Sequence, residues 1–293
     1  MMNRGTKIIL WVGFIAYGLA LFSALTFYRL PADRVLSRLA DRMTHGKILL
    51  STGKTSSSLW KGHHLEDLTW TIQAGGSMVT EHMESLIFSP DLLGLLKGYV
   101  PVKVKGTLGG GSFQGSAGAS MVRGLNRGYA NFEAKEIRLE DLAVLKLIAH
   151  RAIQGKMKGK VELHGALTDL KGISGQGTMV ITDGAVDVRA DGYGIDSLPF
   201  ARLNLPFSVE KGVADLKGGD IVGPLFRGDL EGQIGLHQDL GASLLQVTAR
   251  IRPAKSSQDK EAKGHQALGG SSIVLRLHGT VAKPVISWTG AFQ

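Results

Sequence analysis

Cysteine is absent from all 293 residues, so no disulfide staples the chain, and zinc–thiolate sites and cysteine nucleophiles are excluded. Long apolar runs are nearly absent too. Only residues 8–27, IILWVGFIAYGLALFSALTF, hold about 20 residues without a charge, the length that crosses a hydrocarbon core of about 30 Å. Charge of one sign is never concentrated. The net charge of +9 is interleaved with acidic residues, as in Asp215 beside Lys217, which describes a solvated surface more than a nucleic-acid stripe. Glycine is abundant, at 40 residues, yet no G-X-Y period accompanies it, so collagen is excluded.

Catalytic motifs are missing as well. Nine histidines include no HExxH and no HxH, and His63 and His64 are neighbours that face opposite ways on a strand. Gly53-Lys54-Thr55 imitates the end of a phosphate-binding loop, but Ile48 stands where that loop needs glycine. Gly175-x-Gly177 lacks the third glycine of a dinucleotide fingerprint, since Val180 takes its place. Gly109-Gly110-Gly111 leads into a strand-like segment, not the helix N-terminus that would hold a phosphate. No GxSxG elbow occurs. The expectation is a non-enzymatic protein with no catalytic, cofactor-binding or metal-ligating residues.

What is present begins with the apolar run. Arg4 and Lys7 are the only charges before it, so residues 1–7 are expected to stay in the cytoplasm and the remainder to be exported. The rival is a cleaved signal peptide with Gly18-Leu19-Ala20 as its small-x-small site, but the run continues past the length such a core needs. Residues 31–45 then read as an amphipathic helix, opened by Pro31 and stopped by Gly46. Arg34, Arg38 and Arg42 recur at i, i+4 and i+8 on one face. That face suits lipid phosphates at a membrane surface, or equally an ordinary cap on the following domain.

From residue 46 to 293 the period changes to two. Sixteen short segments alternate, as in Val161/Leu163, Met179/Ile181 and Leu203/Leu205, and predict an antiparallel, meander-like β domain. Among them 177–182 and 185–189 read as separate strands, as do 226–230 and 232–236. Gly155, Gly165, Gly184 and Gly212 lie near segment ends, so the glycine excess reads as turn chemistry. Two helical insertions are expected, at 90–96 and 139–153, and 253–270 is expected to be a polar surface loop. Alternation alone leaves open whether the strands form an open curved sheet with a groove or a filled sandwich. The side chains to test for an apolar groove are Val161, Leu163, Met179, Ile181, Leu230 and Ile234; the ordinary alternative is that they form a core.

Three stretches carry a resemblance. GQGTMVITDGA at 175–185, then Phe207 to Leu216 and Phe226-Arg227-Gly228-Asp229-Leu230, resemble the strand units of AsmA-like periplasmic proteins. The anchor, Leu30-Pro31-Ala32-Asp33-Arg34, Leu92-Leu93-Gly94-Leu95-Leu96 and the closing Leu275-x-Leu277-x-Gly279-Thr280 with Pro284 resemble the type II secretion system protein N family. The resemblance implies an inner-membrane-anchored periplasmic protein that assembles with other type II secretion subunits. It also implies kinship with proteins linked to lipid movement, so phospholipid is the alternative partner; no nucleic acid and no cofactor is implied.

Overall fold

In the computed structural model, the described residues are 34, 37–38, 48–58, 62–74, 77–90, 99–120, 127–143, 145, 153–166, 170–190, 195–224, 226–237, 242–253, 272–281 and 283–289. The apolar run 8–27, Arg42, residues 91–96 and the 254–270 part of the polar segment lie outside them. Among the described residues no helix is long and apolar enough to cross a membrane.

Fourteen strands make one open antiparallel sheet, each paired with its neighbours in sequence. They are β1 (Ile48–Ser58), β2 (Gly62–Ala74), β3 (Ser77–Pro90), β4 (Tyr99–Leu108), β5 (Gly111–Ser120), β6 (Arg127–Arg138) and β7 (Ile153–Ala166). The second half comprises β8 (Ile173–Ala190), β9 (Ile195–Glu210), β10 (Val213–Val222), β11 (Phe226–Gly235), β12 (Leu244–Pro253), β13 (Ile273–Thr280) and β14 (Lys283–Thr289). Among the described residues the expected meander is therefore present as one sheet, not as two packed sheets.

Two local expectations need correction. The segments 177–182 and 185–189 are one 18-residue strand, β8. Asp183 takes a left-handed φ of 51° there, and the register with β7 slips between Gln154 and Lys156, so a bulge carries the chain through where a turn was expected. Likewise 226–230 and 232–236 merge into β11, which ends at Gly235. Of the helix expected over 139–153, a 3-10 turn covers Leu139–Asp141, residues 143 and 145 are helical, Ile153 already opens β7, and residues 144 and 146–152 lie outside the described residues. Pro90, the first residue of the other expected insertion, ends β3, and residues 91–96 lie outside the described residues.

Some glycines do serve turns. Lys211 and Gly212, with φ of 52° and 79°, join β9 to β10 in the doubly left-handed arrangement that matches strand twist, and Gly109 and Gly110 do the same between β4 and β5. Many others lie inside strands beneath an aromatic ring. Gly106 is paired with Phe113, Gly115 with Phe132, Gly118 with Tyr129, Gly177 with Phe207 and Gly184 with Phe200, and in each pair the ring occupies the space a Cβ would need. The glycine excess is thus partly cross-strand packing, which single-segment periodicity does not reveal.

Bulges recur along the sheet. Glu136 sits at φ 54° where β6 slips against β7, and β10 slips against both neighbours after Leu216. Each extra residue bends its strand and increases local twist, and a sheet of more than about ten strands has to curl or split. Two buried clusters result. One joins Leu65, Leu68 and Met83 with Leu86, Phe88 and Phe113 from the first five strands. The other joins Leu139, Ile181, Phe200, Ile221, Phe226 and Ile251, with Leu142 and Leu145 of the 3-10 insertion packed against it. Leu139, Leu142 and Leu145 thus form a local cover over the β7 to β13 cluster.

Tight strand spacing gives a sharp contrast between two glycines of adjacent strands. A Cβ on Gly175 would collide with the Glu162 carbonyl oxygen and come within 2.9 Å of Leu163 Cα, backbone that cannot rotate away. A Cβ on Gly159 would meet nothing nearer than 3.4 Å. Gly175→Ala is expected to lower stability by about 1–3 kcal/mol, the usual cost of overpacking. Gly159→Ala should be neutral or slightly stabilising, by up to about 1 kcal/mol, through the unfolded chain. Urea unfolding of both variants checks the contrast.

Candidate functional site: an apolar sheet face

The registers connect one residue from every strand into a single row. It runs Ser57, His63, Phe88, Val104, Gly115, Phe132, Val161 and on through Gly177, Phe207, Leu216, Gly232, Val247, Leu277 to Ile286. Directly opposed residues share a face, so these fourteen positions lie on one side of the sheet. Twelve of them are apolar or glycine. At the β1 end, His63 is buried, stacks on Phe88 with ring centroids 4.9 Å apart, and its Nδ1 lies 2.7 Å from Ser57 Oγ.

The rows on either side of it have the same character. One passes through Val102, Ala117, Ala130, Leu163, Gly175, Val209, Ala214, Ile234 and Leu245. The other includes Phe113, Ala134, Gly159, Met179 and Leu205, and resumes beyond the β10 bulge with Gly219, Leu230, Ala249 and Leu275. Val161, Leu163, Met179, Ile181, Leu230 and Ile234, the six residues named from alternation, therefore all lie on this face.

One position along each strand, the chemistry reverses. Ser89, Lys103, Ser116, Asn131, Glu162, Gln176, Ser208, Asp215, Gln233, Gln246 and His278 form a polar row from β3 to β13, ending on Val285. Ion pairs bind this face together: Lys160–Glu162 at 2.6 Å, Lys217–Asp215 at 2.7 Å, Lys158–Glu136 at 2.8 Å and Lys135–Glu133 at 3.0 Å. The hydrogen bond from Gln114 and that from Lys135 hold the Glu133 carboxyl below its ordinary range, and the Lys158 bond does so for Glu136. Glu162 and Asp215 raise the ammonium groups of Lys160 and Lys217 through their hydrogen bonds.

Signs follow directly. The carboxylate contribution is complete above the unfolded carboxyl range and disappears as pH falls through the lower folded values. The lysine contribution is complete below the ordinary lysine range and disappears as pH rises through the raised folded values. Stability should therefore be flat across neutral pH. All these groups are solvated, so high salt should shift the melting temperature little, as a calorimetric series in pH and salt would show.

Exposure divides the apolar face into two parts. Under the 3-10 insertion, Ile137, Ile181, Ile221 and Ile251 are buried. Along the fourteen-strand row, Phe132, Val161, Phe207, Val247, Leu277 and Ile286 each keep part of their surface exposed. A sandwich would place a second sheet about 10 Å away and bury such a row throughout. Two shallow concavities lie on the other, polar side. One is about 260 Å³ beside Lys105, Gln114 and Glu133, and the other about 530 Å³ beside Asp215, Gln233, Gln246 and His278.

Arg34 and Arg38 are helical and exposed, and Ser37 Oγ between them lies 3.5 Å from the Leu50 carbonyl oxygen of β1. Among the described residues no three His, Asp or Glu side chains are grouped to hold a metal ion. Sequence reasoning missed the contribution of Phe132, Phe207 and Val247 to the apolar row, because single-strand alternation does not show which residues stand opposite one another across strands. In comparison with known proteins, the chain matches no family model, no curated protein and no solved structure.

Proposed function

We propose that this chain is a non-enzymatic cell-envelope protein that holds lipid acyl chains on the apolar face of its sheet. The supporting observation is the fourteen-residue row, continuous from β1 to β14 yet only partly buried along most of its length. Leaving such side chains wet is unfavourable, since full burial of each is worth about 1.5–3 kcal/mol. An acyl chain recovers that energy at about 0.8 kcal/mol per buried CH₂. Fourteen strands at about 4.8 Å spacing extend the face to about 60 Å, several times the depth of one hydrocarbon leaflet of about 15 Å. Phe–Gly pairs such as Phe132–Gly115 and Phe207–Gly177 lie along this face. Residues 8–27 anchor the chain in the inner membrane, its bulk stands in the periplasm, and Arg34, Arg38 and Arg42 meet lipid phosphates at the surface. Native mass spectrometry of the full chain in mild detergent tests the reading. Retained phospholipid is the expected result, and a lipid-free protein would sink it.

A second reading follows the resemblance to the type II secretion system protein N family. An open sheet has two edges, β1 and β14, whose backbone groups can receive a strand from another subunit. In that reading the protein is an assembly scaffold for secretion subunits. Photo-crosslinking in cells from exposed positions of β1, such as Thr55, should then recover such subunits, and their absence would count against it.

A further inference from the structure

The two edges of the sheet differ. Ser37 lies against β1 through its approach to the Leu50 carbonyl oxygen, and β1 itself is rich in serine and threonine with Lys54 exposed. At β14, Lys283 and Pro284 guard only the start beside the turn. The remaining residues, 285–289, contain no charge, no proline and no register slip against β13. Val285 is 49% exposed on the otherwise polar face, and Ile286 ends the apolar row at the edge. Edge strands are ordinarily defended by charge, bulge or cover, and this one is left regular and apolar.

We propose that β14 pairs antiparallel with β14 of a second copy of this chain. A two-fold axis normal to the sheet keeps the apolar faces on the same side, so Ile286 meets Ile286 of the second copy and the row continues without a break. With the axis on Ile286, Val285 falls opposite Ser287 of the second copy. Lys283, the only charge in the strand, falls opposite position 289, so no like charges are opposed. The contact is isologous and closes at two copies. Stacking β14 onto β1 would instead propagate without end and would meet Ser37 against β1. The paired sheet has an apolar face of about 130 Å. The inference stands independently of lipid binding.

The absence of native cysteine allows a clean test. Val285→Cys and Ser287→Cys are prepared separately in the full chain, and each is oxidised in detergent alone and after co-expression with the other. Opposed Cβ atoms of about 5 Å are within reach of a disulfide. The expected result is a two-chain product of the mixture, little from either variant alone, and a two-copy mass for the unsubstituted protein by light scattering. A one-copy mass with no crosslink, equal crosslinking of each variant alone, or a crosslink to a chain of another mass overturns the proposal.

Discussion

Phe200→Ala lowers the folding stability by about 3–5 kcal/mol, the range for removing a buried aromatic ring. Phe200 is 3% exposed and belongs to the cluster with Ile181, Ile221 and Ile251. Its ring lies across Gly184, directly opposite in β8, and occupies the volume of the missing side chain. Gly184→Ala is accordingly expected to cost about 1–3 kcal/mol by displacing the ring. The decisive feature is coupling. Once Phe200 is alanine, the added methyl at 184 has room, so the double variant should be less damaged than the sum of the two, by about 0.5–3 kcal/mol. Urea unfolding followed by circular dichroism measures all three. Simple additivity would mean that ring and glycine do not share one space.

If the apolar face holds acyl chains, as proposed, Val161→Arg is expected to abolish co-purifying phospholipid and to leave the fold intact. Val161 lies in the middle of the apolar row, between Phe132 and Gly177, and is only partly buried, so an arginine there can lift its charged end to water. The guanidinium places charge on the floor where acyl chains would lie, and an unpaired charge in hydrocarbon is strongly disfavoured. Gln246→Arg, on the polar face and already exposed, should keep the lipid. Phosphate analysis of purified protein, with circular dichroism as the folding control, reads the difference. Equal lipid content in the two variants would separate the apolar face from lipid binding.

Much of this face is legible in the chain itself. Val161/Leu163 and Met179/Ile181 alternate at period two, so their placement on one side follows from strand geometry alone. The order of strands is legible for the same reason, because short glycine-bearing connections leave antiparallel neighbours as the simplest arrangement. The continuity of β8 is not. Asp183-Gly184 has turn chemistry, and only the cross-strand partners show that its left-handed residue is a bulge. The row through Phe132, Phe207 and Val247 is hidden likewise, since only the cross-strand register shows which residues oppose one another. The insertion after β6 has helical periodicity, but that Leu139 and Leu142 pack over the sheet as its cover is visible only once the strands are placed.

Lipid contact that alternates with the strand tests the central claim most directly. A photoreactive side chain is placed in turn at Lys160, Val161, Glu162 and Leu163, and the full chain is irradiated in membranes. Phospholipid adducts are expected at 161 and 163 and not at 160 and 162, following the two faces of β7. Adducts at all four positions, or at none, would contradict an apolar face that holds acyl chains.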